Sequence, residues 1–155
     1  ARFQAFNTNP EMARERARSA INLFKEGAIH DDWIKSRPEL DSEYEFEVFA
    51  HGDENNVFDD RLGLKTPMTA QELANMIRND SGYSEGMPVR LCSCNTGANS
   101  NGFAQDLANE LQVDVTAPNR YWHPGIFGGL DNQVRGRFGF PKGEWVKFNP
   151  NMSPN

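Results

Sequence analysis

The sequence is short of several things, and each shortage removes a class of explanation. It holds only two cysteines among 155 residues, Cys92 and Cys94. One intervening residue is too few for disulfide geometry. A secreted, cross-linked scaffold is therefore excluded, and the thiols are expected to be reduced in a cytosol-like compartment. The three histidines, His30, His51 and His123, are dispersed, with no Cys-x-x-Cys or His-x-x-x-His spacing, so neither a metal site nor another cofactor is expected. Positive charge is also in deficit: 16 Lys and Arg against 22 Asp and Glu leave a net charge of -6. Nucleic-acid binders present basic surfaces to phosphates, so that class is set aside. The one dense basic run, Arg14, Arg16 and Arg18, is broken up by Glu11 and Glu15, as on a solvated helix face. No apolar run approaches the roughly 20 residues of a membrane helix, and no basic segment leads into an apolar stretch as in a secretory signal. The chain opens at Ala1, which points to a processed product or a domain cut from something longer.

What is present fits a single domain over residues 1–155 with one hydrophobic core. Residues 1–43 read as a helix and a connector. Thr8 or Asn9 caps the helix, Pro10 suits its first turn, and Met12, Ala13, Ala17, Ala20, Ile21 and Phe24 recur at helical spacing before Gly27. Residues 28–42 are polar, with Trp33, Ile34 and Leu40 as anchors for a connector lying on the domain. Residues 44–117 read as the core. A strand with alternating Tyr44, Phe46 and Val48 ends at His51-Gly52, and a hairpin over residues 57–64 carries Asp59 and Asp60 near its tip. Thr69 and Glu72 form a capping box for a helix bearing Leu73, Met76 and Ile77. A strand over residues 88–93, a helix with Phe103, Ala104, Leu107, Ala108 and Leu111, and a strand over residues 113–117 follow. Residues 118–155 combine an aromatic- and glycine-rich loop with a final strand over residues 144–148. Strands alternating with helices predict an α/β fold in three layers, a central mostly parallel sheet flanked by helices.

In such a sheet, reactive groups collect where the carboxyl ends of strands emerge. His51 and Cys94 each stand at such an end. An imidazole and a thiol on neighbouring strand ends are the two parts of a thiol nucleophile site, because an adjacent base makes the thiolate that reacts. Gly52 exposes a backbone N–H that a substrate can approach closely, and the Cys94 N–H adds a second donor for a developing oxyanion. Cys92, mid-strand among apolar neighbours, reads as a core residue.

The runs Phe49-Ala-His-Gly52 and Arg90-Leu-Cys-Ser-Cys-Asn-Thr-Gly97 resemble the caspase-like cysteine peptidases, a group that includes caspases, gingipains, CHAT-domain proteases and toxin-autoprocessing domains. The resemblance covers residues 44–117. It implies a caspase-like fold, a Cys94–His51 dyad with Gly52 as oxyanion donor, and a protein or peptide substrate. The caspase form of the nucleophile motif, Gln-Ala-Cys, is absent, and no third catalytic residue is evident from the sequence. The stretch Thr116-Ala-Pro-Asn-Arg-Tyr-Trp122, with Gly143-Glu-Trp-Val-Lys-Phe148 closing the chain, is similar in layout to the C-terminal domains of bacterial polymorphic toxins of Rhs type. That similarity implies delivery by a larger secreted carrier, action in the cytosol of a target cell, and a cognate immunity protein.

Asp53, Asp59 and Asp60 follow His51 and would favour a basic substrate side chain, although an aspartate-rich hairpin tip is more often merely solvated. Trp122 reads as a cleft wall or core aromatic, His123 as a structural loop residue, and His30, beside Asp31 and Asp32, as exposed. Two other classes remain open: a partner-binding module whose thiol no longer reacts, and a toxin using the same thiol for transferase chemistry.

Overall fold

The computed structural model describes residues 20–36, 45–123, 133–136 and 141–151. The basic run at Arg14, Arg16 and Arg18, and the helix expected there as far as residue 19, lie outside them. In chain order the elements are β1 (Ile21–Asn22), α1 (Ile29–Ser36), β2 (Phe46–Phe49), β3 (His51–Gly52), β4 (Val57–Asp59) and β5 (Thr66–Met68). There follow α2 (Ala70–Asn79), β6 (Val89–Cys92), α3 (Phe103–Leu111), β7 (Val115–Pro118), β8 (Tyr121–His123), β9 (Gln133–Arg135) and β10 (Trp145–Phe148).

The central sheet has five strands in the order β1-β2-β6-β7-β10. The first three pairings are parallel, and β10 closes the edge antiparallel to β7. The protein is thus mixed α/β with a mostly parallel central sheet, as the alternation of elements predicts. Both faces of the sheet are covered, and the period-2 alternation of strand side chains decides what goes where. Phe46 and Val48 of β2 and Val89 and Leu91 of β6 point into the main core, with Leu73 and Ile77 of α2 and Leu107 of α3. Phe49 and Cys92 point the other way, into a second cluster with Phe24 and Trp122, on which Trp33 and Ile34 of α1 pack.

The capping box of α2 is present as the sequence predicts. The Thr69 side chain accepts the Glu72 N–H at 3.0 Å and Glu72 accepts the Thr69 N–H at 3.0 Å. The expected hairpin is also there, widened into a three-stranded meander β3-β4-β5. Its reversal between β4 and β5 contains Gly63 at φ 75° and Lys65 at φ 48°.

Two expectations fail at the start of the described chain. Ala20, Ile21 and Phe24 do not end a helix: Ile21–Asn22 is an edge strand, and the Leu23 N–H donates to Phe49 O at 2.8 Å. Ile21 fits a helical spacing with Ala17 and Phe24 and a period of two with Leu23, and the open edge of β2 offers hydrogen bonds that fix the choice. The supposed connector contains α1, with Asp31 and Asp32 in its first turn and Lys35 in its last, as the helix dipole favours.

Replacing Thr69 by Ala removes one half of the capping box. Urea unfolding should show a loss of about 1 kcal/mol with an unchanged slope.

Candidate thiol–imidazole site

The site follows from one register. β2 and β6 are neighbouring parallel strands in which Phe49 pairs with Cys92. His51 lies two residues beyond Phe49, and Cys94 two beyond Cys92. A step of two keeps a side chain on the same face of a sheet. His51 and Cys94 therefore leave adjacent strand ends on one face. They share neighbours: the His51 ring meets Phe24 edge-on at 4.7 Å, Phe24 stacks with Trp122 at 6.1 Å, and Cys94 packs on the cluster that holds both aromatics.

The turn after β6 is tied down from several sides. Asn95 adopts a left-handed conformation, φ 60°, and its N–H donates to Arg120 O at 2.9 Å. The Thr96 hydroxyl donates to Ser93 O at 2.8 Å and the Gly97 N–H to Pro118 O at 2.8 Å. Gly52 lies directly against this turn. A Cβ on Gly52 would stand 2.2 Å from Ser93 Oγ and 2.8 Å from Thr96 Cγ2, so only glycine fits. The Gly52 backbone is thus held directly against the segment that carries Cys94.

The half-buried Cys94 thiol points to Trp122 O at 3.8 Å. Burial pushes its pKa above the usual thiol range, against the opposing pull of backbone hydrogen bonding at Trp122 and Cys94 and of the Lys65 charge. The His51 pKa is lowered, first by burial and then by the Lys65 charge, with Asp60 partly offsetting both. At neutral pH the pair therefore rests as thiol and neutral imidazole rather than as an ion pair.

Asp60 Oδ2 lies 3.8 Å from His51 Nε2. Asp53 and Asp59 are placed differently. Asp53 caps its own turn, accepting from the backbone N–H groups of Asn55 and Asn56 at 2.9 and 2.8 Å. Asp59 is clamped by Arg61, with Nε at 2.9 Å and Nη2 at 2.7 Å. Both carboxylates are engaged within their own loops, and Asp60 alone of the three turns towards the histidine. Trp122 is 3 % exposed, so its ring is core and its carbonyl is what reaches the thiol. Cys92 is fully buried, and its thiol points to Glu47 Oε2 at 3.6 Å. Among the described residues no group of three or more His, Cys, Asp or Glu is arranged to hold a metal ion.

His30 is not the exposed residue that its acidic neighbours suggest. It stacks on Phe24 at 4.5 Å, 10° from parallel, and meets the His51 ring edge-on at 5.6 Å. Asp31 holds α1 in that place by accepting from Asn22 at 2.8 Å and from the Gly27 N–H at 2.9 Å, and by pairing with Lys35 at 2.9 Å. Burial, then the charges of His51 and His123, bring the His30 pKa down to about 4. His123 Nε2 lies 3.1 Å from Gly136 O. The three histidines, far apart in sequence, thus gather around one aromatic cluster. The available signal was Phe24, which takes on its meaning once residues 20–24 are read with a period of two.

Residues 19–131 match a family described as a domain of unknown function, DUF8616, and the chain belongs to that family. It is also 36% identical over 85 residues to the uncharacterized protein YibJ of Escherichia coli (strain K12). The match covers 54% of this chain and 34% of YibJ, so the chain spans about a third of that protein's length. No solved structure matches the chain.

Both His30 and His51 have folded pKa values below the ordinary 6.5. The unfolded chain therefore binds protons that the native state refuses, and stability is lost as pH falls from 6.5 towards about 4. Thermal melts across this range should show a falling midpoint, and His30→Phe, which keeps the stack but cannot titrate, should flatten the fall.

Proposed function

We propose that this member of the DUF8616 family is a cysteine peptidase on a caspase-like fold, with Cys94 as nucleophile, His51 as acid and base, and protein chains as substrate. The observation that carries the reading is the β2–β6 register, which sends a histidine and a cysteine off adjacent strand ends on one face. The Gly52 backbone pressed against the Cys94 turn supports it, as does the sequence resemblance of the two motifs.

The chemistry begins from a neutral pair. His51 takes the thiol proton as the sulfur attacks the peptide carbonyl, forming a carbon–sulfur bond and an oxyanion that the Gly52 and Cys94 N–H groups receive. The His51 imidazolium then gives its proton to the amine nitrogen as the carbon–nitrogen bond breaks. Water attacks the thioester with His51 accepting its proton, and the thiolate that leaves is reprotonated. The raised thiol pKa favours this concerted route over a standing thiolate. The layout shared with polymorphic toxins extends the proposal to a domain delivered by a larger carrier into target-cell cytosol, opposed by an immunity protein.

A second reading draws on the burial of Cys94 and its contact with Trp122 O: a partner-binding module whose thiol stays idle. A thiol-reactive peptide probe separates the two. Stable modification of Cys94 that requires His51 supports the enzyme, and the module predicts none.

The peptidase reading is tested by mapping new protein termini in a target-cell extract. Wild type should generate a defined set, Cys94→Ala none, and Cys92→Ala about the wild-type set. Proteins modified but uncut would point to transferase chemistry, and cleavage surviving in Cys94→Ala would overturn the assignment.

A further inference from the structure

We infer that Asp60 is the positioning residue of the His51 imidazole, so that the site is a Cys94–His51–Asp60 relay rather than a dyad. The inference rests on the peptidase reading for its catalytic meaning, although the Asp60–His51 pair can be tested without it.

The loop between β4 and β5 is built around this carboxylate. The Asp60 backbone N–H donates to Leu23 O at 2.9 Å, and its carbonyl accepts the Gly63 N–H at 2.8 Å. Its Oδ1 accepts the Lys65 N–H at 2.9 Å, made possible by the left-handed turn at Lys65. With backbone and Oδ1 fixed, Oδ2 is directed at His51 Nε2, 3.8 Å away, and the Asp60 side chain is only 18% exposed. His51 is braced independently by Phe24 at 4.7 Å and by backbone pairing with Phe58. The ring and the carboxylate are thus each held by other contacts, and their facing is a product of the fold.

The chemical consequence follows from the two ring nitrogens. At 3.8 Å the pair is within ion-pair reach but longer than a hydrogen bond, so Asp60 acts on the ring by its charge and favours the tautomer with hydrogen on Nε2, which leaves the Nδ1 lone pair to take a thiol proton. When the ring becomes imidazolium, the Asp60 charge draws Nε2–H in and stabilises the cation. Among the described residues, Lys65 from the same loop acts on the His51 charge and the His30 ring of α1 lies edge-on to it. Lys65 and protonated His30 both oppose the cation, and Asp60 is the group that favours it.

Asp60→Asn tests the assignment. Its amide oxygen can still accept the Lys65 N–H, so the loop is preserved, while its NH2 now faces Nε2 as a donor. Nitrogen NMR of the labelled imidazole should show the neutral His51 tautomer switching from Nε2–H to Nδ1–H, and its titration midpoint moving down. Turnover of the substrates found by terminus mapping should fall at least about a hundredfold with KM nearly unchanged, and the acid limb of kcat/KM should move to lower pH. Asp60→Glu, which restores the charge, should recover part of the midpoint shift. An unchanged His51 tautomer and midpoint in a folded Asp60→Asn variant would overturn the role of Asp60, whatever the activity. Cleavage retained by Cys94→Ala would instead overturn the peptidase reading and leave the tautomer result standing.

Discussion

The parallel pairing of β2 with β6 is the constraint on which the rest depends. With Phe49 opposite Cys92, the chains beyond both strands leave the sheet at the same level and on the same face. A slip of one residue would turn one of the two side chains into the main core. The register is protected by burial on both faces: Phe46, Val48, Val89 and Leu91 on one, Phe49 and Cys92 on the other, all fully buried. Each large apolar side chain placed this way contributes roughly 1.5–3 kcal/mol of burial energy, and a shifted register would misplace several at once. The packing that stabilises the sheet therefore also sends His51 and Cys94 off adjacent strand ends on one face.

The electrostatics of the site work against a permanently reactive thiol. Burial raises the Cys94 pKa and lowers that of His51, so both groups rest uncharged and the thiol lies on the Trp122 carbonyl. In the proposed reaction, a bound substrate carbonyl and its oxyanion donors would draw the proton from thiol to imidazole. The aromatic cluster of Phe24, Trp122 and Trp33 packs beside both groups. It also brings His30 against His51, which discourages a second positive charge there.

The sequence carried the centre of the fold clearly and its edge poorly. The strands around Val48 and Leu91 and the capped helix after Thr69 announced themselves because alternation, apolar runs and the capping box agree with the tertiary environment. His51 and Cys94 were legible as strand-end residues, and their shared face follows once the strands are parallel neighbours. Residues 20–24 are ambiguous because Ile21 fits a helical spacing with Phe24 and a period of two with Leu23, and the deciding partner, the free edge of β2, is distant in sequence. That ambiguity conceals the place of Phe24, on which His30 stacks. Asp60 could not be told from Asp53 and Asp59 by composition. Only the loop geometry shows two carboxylates consumed by Asn56 and Arg61 and one turned to the histidine.

The most direct measurement is a chemical ruler between the two residues: reaction with dibromoacetone, a short reagent with two electrophilic carbons, followed by peptide mass spectrometry. If the register sets the thiol beside the imidazole, the first alkylation falls on Cys94 and the second arm closes on His51, giving one bridged peptide pair. Alkylation of Cys94 whose second arm never reaches His51, or bridges elsewhere, would contradict the shared site.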